Sequence, residues 1–148
     1  NCTGLGAREL CDDEEVVPVR GQIIYIEQDP GFGRFDQRAE NLIYTIPRRD
    51  VTVLGGTAQK GDWHGEVRES DTKEILEKCS LLWPELDRSR IVGKAVGLRP
   101  SRSEVRLEVD RSGDRIVIHN YGHGGAGVTL SWGCADEVVA LVSRLEQP

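Results

Sequence analysis

Hydrophobic and polar residues alternate along most of this chain with a period that predicts β-strands. In the segment 104–110, Val and Leu alternate with charged residues, which is typical of an antiparallel strand with one face buried. Apolar and β-branched runs predict further strands over 20–28, 42–47, 50–56, 90–100 and 115–120. The segment 29–41 has glycine, proline and charge but no periodicity, which predicts a loop of the length that often forms a lid.

Helical spacing occurs in two places. Residues 70–86 predict a helix with Ser70 as its N-cap and Pro84 as its stop. Its apolar stripe consists of Ile75, Leu76, Cys79 and Leu82. The last segment predicts a second helix with Asp136 and Glu137 near its start, where the helix dipole favours acids. Its apolar positions are Ala135, Val138, Val139, Val142 and Leu145. We therefore expect Trp132 to pack and anchor this helix.

These elements predict an α+β fold, with a mixed, largely antiparallel sheet, one packed helix, a glycine loop and a terminal helix. The loop lies in "HNYGHGGAGVTLSWG", from His119 to Gly133, between a strand and a helix start. Glycines before a helix N-terminus suit a ligand that approaches the backbone, although glycine is also the usual residue of a tight connection. The spacing is not GxGxxG, and no βαβ unit surrounds it, so a dinucleotide fingerprint is excluded.

Composition narrows the function classes. The formal charge of −6 and pI near 5.1 argue against nucleic-acid binding, and no apolar stretch suggests a membrane helix. The four cysteines have no metal-ligand spacing and are expected to be thiols in the cytoplasm. The chain contains no methionine, which predicts that it is a piece of a longer polypeptide. The C-terminus lacks a peroxisomal signal, so a peroxisomal location stays open only for a trimmed eukaryotic protein.

Several motifs occur in one order: "NCTG", "PVRGQI", "VTVLGGTAQKGDW", "GLRPSRSEVRLE" and the glycine segment. Together they resemble the C-terminal half of the D-amino-acid oxidase and D-aspartate oxidase family of FAD flavoproteins. The resemblance implies FAD as cofactor and oxidation of a D-amino acid by oxygen to an imino acid, with hydrogen peroxide as the second product. The imino acid hydrolyses to a keto acid and ammonia. The family's N-terminal GxGxxG segment, which binds the FAD pyrophosphate, does not occur in this sequence.

The resemblance also implies the substrate-binding residues. Arg99 matches the arginine that binds the substrate α-carboxylate, and Tyr44 matches the tyrosine that assists it. Gly125 matches the position whose carbonyl accepts a hydrogen bond from the substrate amino group. Arg102 and Arg106 are expected to be structural, and His119 and His123 are expected to be hydrogen-bonding residues rather than general bases.

The cofactor contacts implied by the resemblance come from two segments. The start of the chain resembles the strand end that touches the dinucleotide, and the glycine segment matches the run along the flavin ring. These residues are Thr3, Gly4, Gly124, Gly125, Ala126, Gly127, Val128 and Thr129. No residue is expected to bind a metal.

Three regions follow from the resemblance: 1–19 ends the FAD-binding domain, 20–114 forms the substrate-binding sheet, and 115–148 returns to the FAD-binding domain. Ala58 stands where D-aspartate oxidases usually have an arginine, which favours neutral D-amino acids. Arg34 or Arg38 could restore recognition of an acidic substrate, so D-aspartate oxidase stays an alternative. Glu40 stands where animal relatives have a second tyrosine. A catalytically silent fragment without flavin is the other alternative, and a homodimer is left open.

Overall fold

The computed structural model describes residues 1–36 and 42–145. The chain divides into unit 1, which consists of Asn1–Val19 and Arg99–Pro148, and unit 2, which consists of Arg20–Leu98. Within the described residues, antiparallel strand pairs and a long C-terminal helix confirm the predicted α+β class. The predicted boundary between residues 114 and 115 stays a prediction.

Unit 2 is built on short antiparallel strands. They are β1 (Val17–Ile26), β2 (Arg34–Asp36), β3 (Ile43–Pro47), β4 (Thr52–Gly55), β5 (Gln59–Lys60) and the first part of β6 (Ile91–Asp110). Along the sheet β2 is followed by β3, β4 and β1, and β5 pairs with β1. The strands predicted over 20–28, 42–47 and 50–56 are confirmed as β1, β3 and β4. The predicted loop over 29–41 is corrected in part, because β2 pairs with β3 there.

One helix closes the core of unit 2. Helix α2 (Glu69–Leu82) directs a buried apolar stripe toward the sheet. The core cluster consists of Ile24, Ile26, Ile43, Leu54, Ile75, Leu76, Cys79 and Trp83. Burial raises the pKa of the Cys79 thiol to about 11, so this cysteine is a packing residue that stays protonated. The helix ends two residues before Pro84, as predicted, since proline disfavours helical backbone in the residue before it.

The predicted N-cap of this helix is wrong. Ser70 lies inside the first turn, and the N-cap position is Arg68, which has extended backbone. Glu69 and Asp71 therefore both lie in the first turn, where the helix dipole stabilises carboxylates.

A buried arginine connects β1 to the segment that precedes α2. The Arg20 side chain is completely buried and forms an ion pair with Asp71 at 2.5 Å. Its guanidinium also donates to Gln59 Oε1 at 2.7 Å and to the carbonyls of His64 and Glu66 at 2.8 and 2.6 Å. A buried guanidinium is stable only when its donors are satisfied, and this one holds the chain between β5 and α2 in place.

Unit 1 contains a short N-terminal helix, α1 (Ala7–Leu10), the second part of β6, the strand β7 (Val117–His123) and helix α3 (Gly127–Leu145). The predicted strands over 90–100 and 104–110 are one continuous strand. Helix α3 begins earlier than predicted, so Asp136 and Glu137 lie in its interior rather than near its start. Glycines in the first two turns concealed the helical pattern in the sequence.

Helix α3 is apolar and exposed among the described residues. Trp132 is 83% exposed, so within the described residues it does not pack or anchor the helix as predicted. The segment Gly124–Leu145 is long and apolar enough to cross a membrane by length and composition, contrary to the sequence expectation. One such helix is weak evidence for a membrane protein, because the core helix of a soluble protein passes the same test.

Gly55 gives a prediction about the fit between β3 and β4. A Cβ on Gly55 would lie 2.1 Å from Cζ of Tyr44, its partner across the strands. We expect Gly55→Ala to displace the Tyr44 ring and to lower the free energy of unfolding by about 1–3 kcal/mol. Gly97→Ala is the matched control, because a Cβ there meets nothing within 4 Å. Urea unfolding of both variants checks this; equal stability would show that the ring moves freely.

Candidate functional site

The residues predicted to bind the two ends of an amino acid are neighbours in unit 1. Arg99 lies half-buried on β6, and Gly125 lies in the helical turn Gly124–Ala126 that follows β7. A Cβ on Gly125 would lie 3.7 Å from Cδ of Arg99. The structure thus places the Arg99 side chain against the backbone of Gly125, whose carbonyl is predicted to accept a hydrogen bond from an amine. One side chain and one peptide group can together bind a carboxylate and an amine.

The glycine segment forms the entry to α3. Gly124 has a φ of +56° and lies against Ser101, whose Oγ would be 3.3 Å from an added Cβ. Gly127 begins the helix, and Val128 in its first turn is 90% exposed. The first N–H groups of a helix have no acceptor within the helix. Donors and exposed apolar surface therefore occur together at this end of α3.

The N-terminal residues predicted to contact a dinucleotide lie close to the same part of β6. The Thr3 hydroxyl donates to Oδ1 of Asn1 at 2.7 Å, which fixes the start of the turn Gly4–Gly6. Gly4 has a φ of +58°, and a Cβ there would lie 3.3 Å from Cγ of Pro100. Pro100 directly follows Arg99, so Gly4 approaches this part of β6 through its backbone.

Tyr44 belongs to unit 2. Its ring lies over Gly55, and its hydroxyl oxygen would be 3.0 Å from a Cβ on Gly56. Of the loop residues considered for acid recognition, Arg38 lies outside the described residues, as does Glu40. Arg34 is described, and its guanidinium lies 4.3 Å from the centroid of the Phe32 ring.

A cavity of about 260 Å³ lies beside Gly56 in unit 2. Its lining includes Ala58, and Lys78 supplies the only lysine or arginine among the lining residues that the structure describes. Lys78 Nζ donates to Glu74 Oε1 at 2.5 Å, so its charge is paired on helix α2. Thr57 and Gln59 also line the cavity, so its described lining is mostly polar.

Both histidines of β7 are hydrogen-bonded, as predicted. His119 is 2% exposed, with Nδ1 at 3.0 Å from Asn1 Nδ2 and Nε2 at 3.3 Å from Asp110 Oδ2. Hydrogen bonds from the Ser112 hydroxyl and N–H, and then from His119, lower the pKa of Asp110 to about 2. His123 Nε2 lies 3.4 Å from Cys134 Sγ. Among the described residues, no group of three His, Cys, Asp or Glu could hold a metal ion.

Sequence analysis missed Asp13. Its carboxylate is 7% exposed and accepts a hydrogen bond from the Tyr121 hydroxyl at 2.7 Å. Burial by itself raises the pKa of Asp13, but the hydrogen bonds from Tyr121 and Arg102 outweigh this and lower the pKa below its usual range. Asp13 lies in the acidic run "CDDEE", and nothing in that run distinguishes it from its solvated neighbours.

Comparison with known proteins identifies the family. A model of the family described as "FAD dependent oxidoreductase" matches residues 1–141. The chain belongs to this family. Over 145 residues it is 49% identical to a D-amino-acid oxidase of Rubrobacter xylanophilus, covering 95% of this chain and 44% of that protein. Over 148 residues it is 42% identical to human D-aspartate oxidase, covering 97% of this chain and 43% of that protein.

The solved structures show the fold of the family at lower identity. A glycine oxidase from Bacillus cereus matches with a TM-score of 0.74 at 20% identity, over 88% of this chain and 37% of that one. The chain therefore spans less than half the length of these family members.

Two glycines near the helix start give a prediction with opposite signs. Gly124→Ala forces a side chain into left-handed backbone and against Ser101, so we expect a loss of about 1–2 kcal/mol in stability. Gly133→Ala lies inside α3 with nothing within 4 Å of the added Cβ, so we expect a gain of about 0.5–1 kcal/mol. Thermal unfolding measures both. A Gly124→Ala variant as stable as the parent would contradict the constraint at this turn.

Proposed function

We propose that this chain is the C-terminal part of an FAD-dependent oxidase of D-amino acids, with neutral D-amino acids as substrates. The observation that carries the proposal is the approach of Arg99 to Gly125, the two residues that we propose bind the carboxylate and the amine. The similarity to D-amino-acid oxidases over 95% and 97% of the chain supports it. Because the chain spans less than half of those relatives, the activity belongs to a longer polypeptide.

The residues present fit one edge of an FAD. Gly124 and Gly125 have no side chain between the backbone and a flat ring, and the turn Gly124–Ala126 runs directly into α3, whose N-terminal dipole favours negative charge. The proposed contacts are the residues predicted from the sequence, including Thr129 in the first turn of the helix. Thr3 and Gly4 are the second proposed group of contacts. No segment of this sequence supplies a pyrophosphate-binding glycine loop, so the rest of the FAD site lies in the preceding part of the polypeptide.

Arg99 binds and orients the substrate. Its planar guanidinium meets the α-carboxylate with two parallel hydrogen bonds, which fixes the amino acid against rotation. The Gly125 carbonyl accepts a hydrogen bond from the amino group and so defines a second direction. With these two groups fixed, the hydrogen and the side chain remain to be distinguished, and the side of the α-carbon that faces the hydride acceptor is the third constraint that would select one enantiomer. The hydroxyl of Tyr44 is the third proposed contact of the carboxylate.

Bound FAD would supply the two-electron acceptor for a hydride that leaves the α-carbon, with oxygen as the final acceptor and hydrogen peroxide as a product. A hydride transfer from a neutral amine needs no general base, and His119 and His123 are proposed as hydrogen-bonding residues, a role that fits their contacts. The residues of this chain act by orientation and by the electrostatic field of the α3 N-terminus, which stabilises negative charge at the ring edge. The imino acid product then reacts with water to give a keto acid and ammonia.

The neutral residue Ala58 supports neutral substrates. It stands where D-aspartate oxidases usually have an arginine, so an acidic side chain would lack that cation. D-aspartate oxidation is the alternative function, favoured by the 42% identity to human D-aspartate oxidase.

The exposed apolar face of α3 supports the proposal of a longer polypeptide. Val128 and Trp132 are among the most exposed residues of the chain, and a patch of this kind is usually covered by protein. The occupant we propose is the N-terminal part of the same polypeptide, which carries the remainder of the FAD site. A homodimer and a cytoplasmic location remain predictions.

The first test is the visible spectrum of the full-length protein under anaerobic conditions. We expect a flavin band that bleaches with D-alanine, at a rate at least about tenfold greater than with D-aspartate, since Ala58 has no charge to pair with an acidic side chain. Faster bleaching with D-aspartate would establish the alternative function. A band that neither substrate bleaches would refute the proposed oxidase activity, and the chain without its N-terminal part is expected to be colourless.

Replacement of the carboxylate-binding arginine gives a second test. Arg99→Lys keeps the charge and loses the two parallel bonds, so we expect kcat/KM for D-alanine to fall about ten- to hundredfold, the equivalent of one charged hydrogen bond. Flavin content is expected to stay unchanged. The control is Arg144→Lys, which alters an exposed arginine bound to Glu137 on α3. Steady-state kinetics with D-alanine measures both, and equal losses would remove Arg99 from the site.

A further inference from the structure

The pairing of β6 with β7 is irregular beside the candidate site. Arg106 pairs with Tyr121, and the next pair toward the site is Ser101 with His123. Strand β6 thus advances five residues while β7 advances two. The segment 102–105, which we call the β6 bulge, lies opposite Gly122. Because Arg99 precedes this bulge and Gly125 follows β7, its conformation determines which residues of the two strands face each other.

Arg102 fixes the conformation of the bulge. Its side-chain stem covers Gly122, where a Cβ would lie 3.0 Å from Cβ of Arg102 and where φ is +90°. Its Nη1 donates to the Glu104 carbonyl at 3.3 Å, within the bulge itself. The guanidinium is 17% exposed and forms ion pairs with Asp13 at 3.0 Å and with Glu15 at 3.4 Å.

Asp13 joins the bulge to β7. It accepts from the Tyr121 hydroxyl at 2.7 Å and from Arg102, and its own turn is closed by the Glu15 N–H at 3.2 Å. The Tyr121 hydroxyl in turn accepts from Arg106 at 2.8 Å, on the far side of the bulge. One buried carboxylate therefore contacts both the bulge and the strand opposite it. In a buried network of this kind the hydrogen bonds strengthen one another, so the contacts on the two strands are coupled.

Short contacts connect the β6 bulge to the candidate site. Ser101, the residue before Arg102, lies against Gly124, with Oγ 3.3 Å from an added Cβ. Arg99, two residues further, lies against Gly125. A slip of the bulge by one residue would turn Arg99 to the other face of β6, because successive side chains of a strand point in opposite directions.

We propose that the Asp13–Arg102 ion pair positions the carboxylate-binding Arg99 against Gly125 by holding the β6 bulge in a single register. Asp13 and Arg102 are positioning residues, and neither touches the substrate. This inference rests on the proposed function, and it adds to that function the residues that determine the geometry of its substrate site.

The test is a double-mutant cycle in the full-length enzyme with D-alanine as substrate. Asp13→Asn keeps the shape of the side chain and removes the buried negative charge that faces Arg102 and Arg106, while the more exposed Glu15 stays beside Arg102. We expect KM for D-alanine to rise about ten- to hundredfold, because small displacements of an orienting group have effects of this size. In an Arg99→Lys background the same change is expected to raise KM less than about threefold, because Asp13 acts through Arg99.

Two further variants separate positioning from stability. Asp62→Asn breaks the partly exposed ion pair of Asp62 with Arg68 in unit 2, and we expect it to leave KM for D-alanine unchanged. Arg102→Lys keeps the charge opposite Asp13 but loses the bond to the Glu104 carbonyl, and we expect a smaller rise in KM than for Asp13→Asn. If Asp13→Asn does not fold, Arg102→Lys is carried through the same cycle with Arg99→Lys.

The outcomes are distinct. A rise in KM that is the same with Arg99 or Lys at position 99, or a melting temperature that falls while KM stays constant, overturns the positioning role and leaves the proposed function standing. A parent enzyme that does not oxidise D-alanine or D-aspartate overturns the proposed function, and the positioning role fails with it.

Discussion

A carboxylate can be buried only where hydrogen-bond donors and positive charge replace its water, and this requirement organises unit 1 around Asp13. Tyr121 and Arg102 supply the donors, and their combined effect keeps the pKa of Asp13 below its ordinary value despite burial. Burial raises the pKa of Tyr121, and its hydrogen bond to Asp13 raises it further, so the tyrosine stays a neutral donor. Removal of one partner would weaken the compensation for burial at Asp13 and Tyr121 together, which couples the arrangement of β6 to that of β7.

The sequence predicted the parts of the fold that depend on local patterns. Strands β1, β3 and β4 follow from β-branched runs, and the end of α2 follows from Pro84, because each signal lies within a few residues of its effect. The start of α2 was misplaced, since Ser70 is a good N-cap by type but lies in the first turn. The β6 bulge could not be predicted, because it depends on Asp13, which is distant in sequence from Arg102.

The candidate site was likewise predictable only in part. Its residues could be named from motifs, yet the approach of Arg99 to Gly125 depends on a pairing that no motif describes. The alternation of Val105, Leu107 and Val109 predicted a buried apolar face, whereas Arg106 on the other face contacts the buried hydroxyl of Tyr121. A binary pattern cannot reveal an inward arginine whose partners come from another element. The helical pattern likewise led us to expect that Trp132 packs, but its side chain is 83% exposed within the described residues. The pattern identifies an apolar helix and does not show which surface covers it.

In the proposed function, unit 1 recognises what all amino acids share. Arg99 and Gly125, which would bind the carboxylate and the amine, lie against each other within this unit. Both groups are attached to the α-carbon, so the spacing of the two contacts constrains the reacting bond and not the side chain. Substrates that differ only in their side chains would therefore be oriented by the same two contacts. The preference for one side chain over another is then a separate property, and it can change without loss of the geometry at the α-carbon.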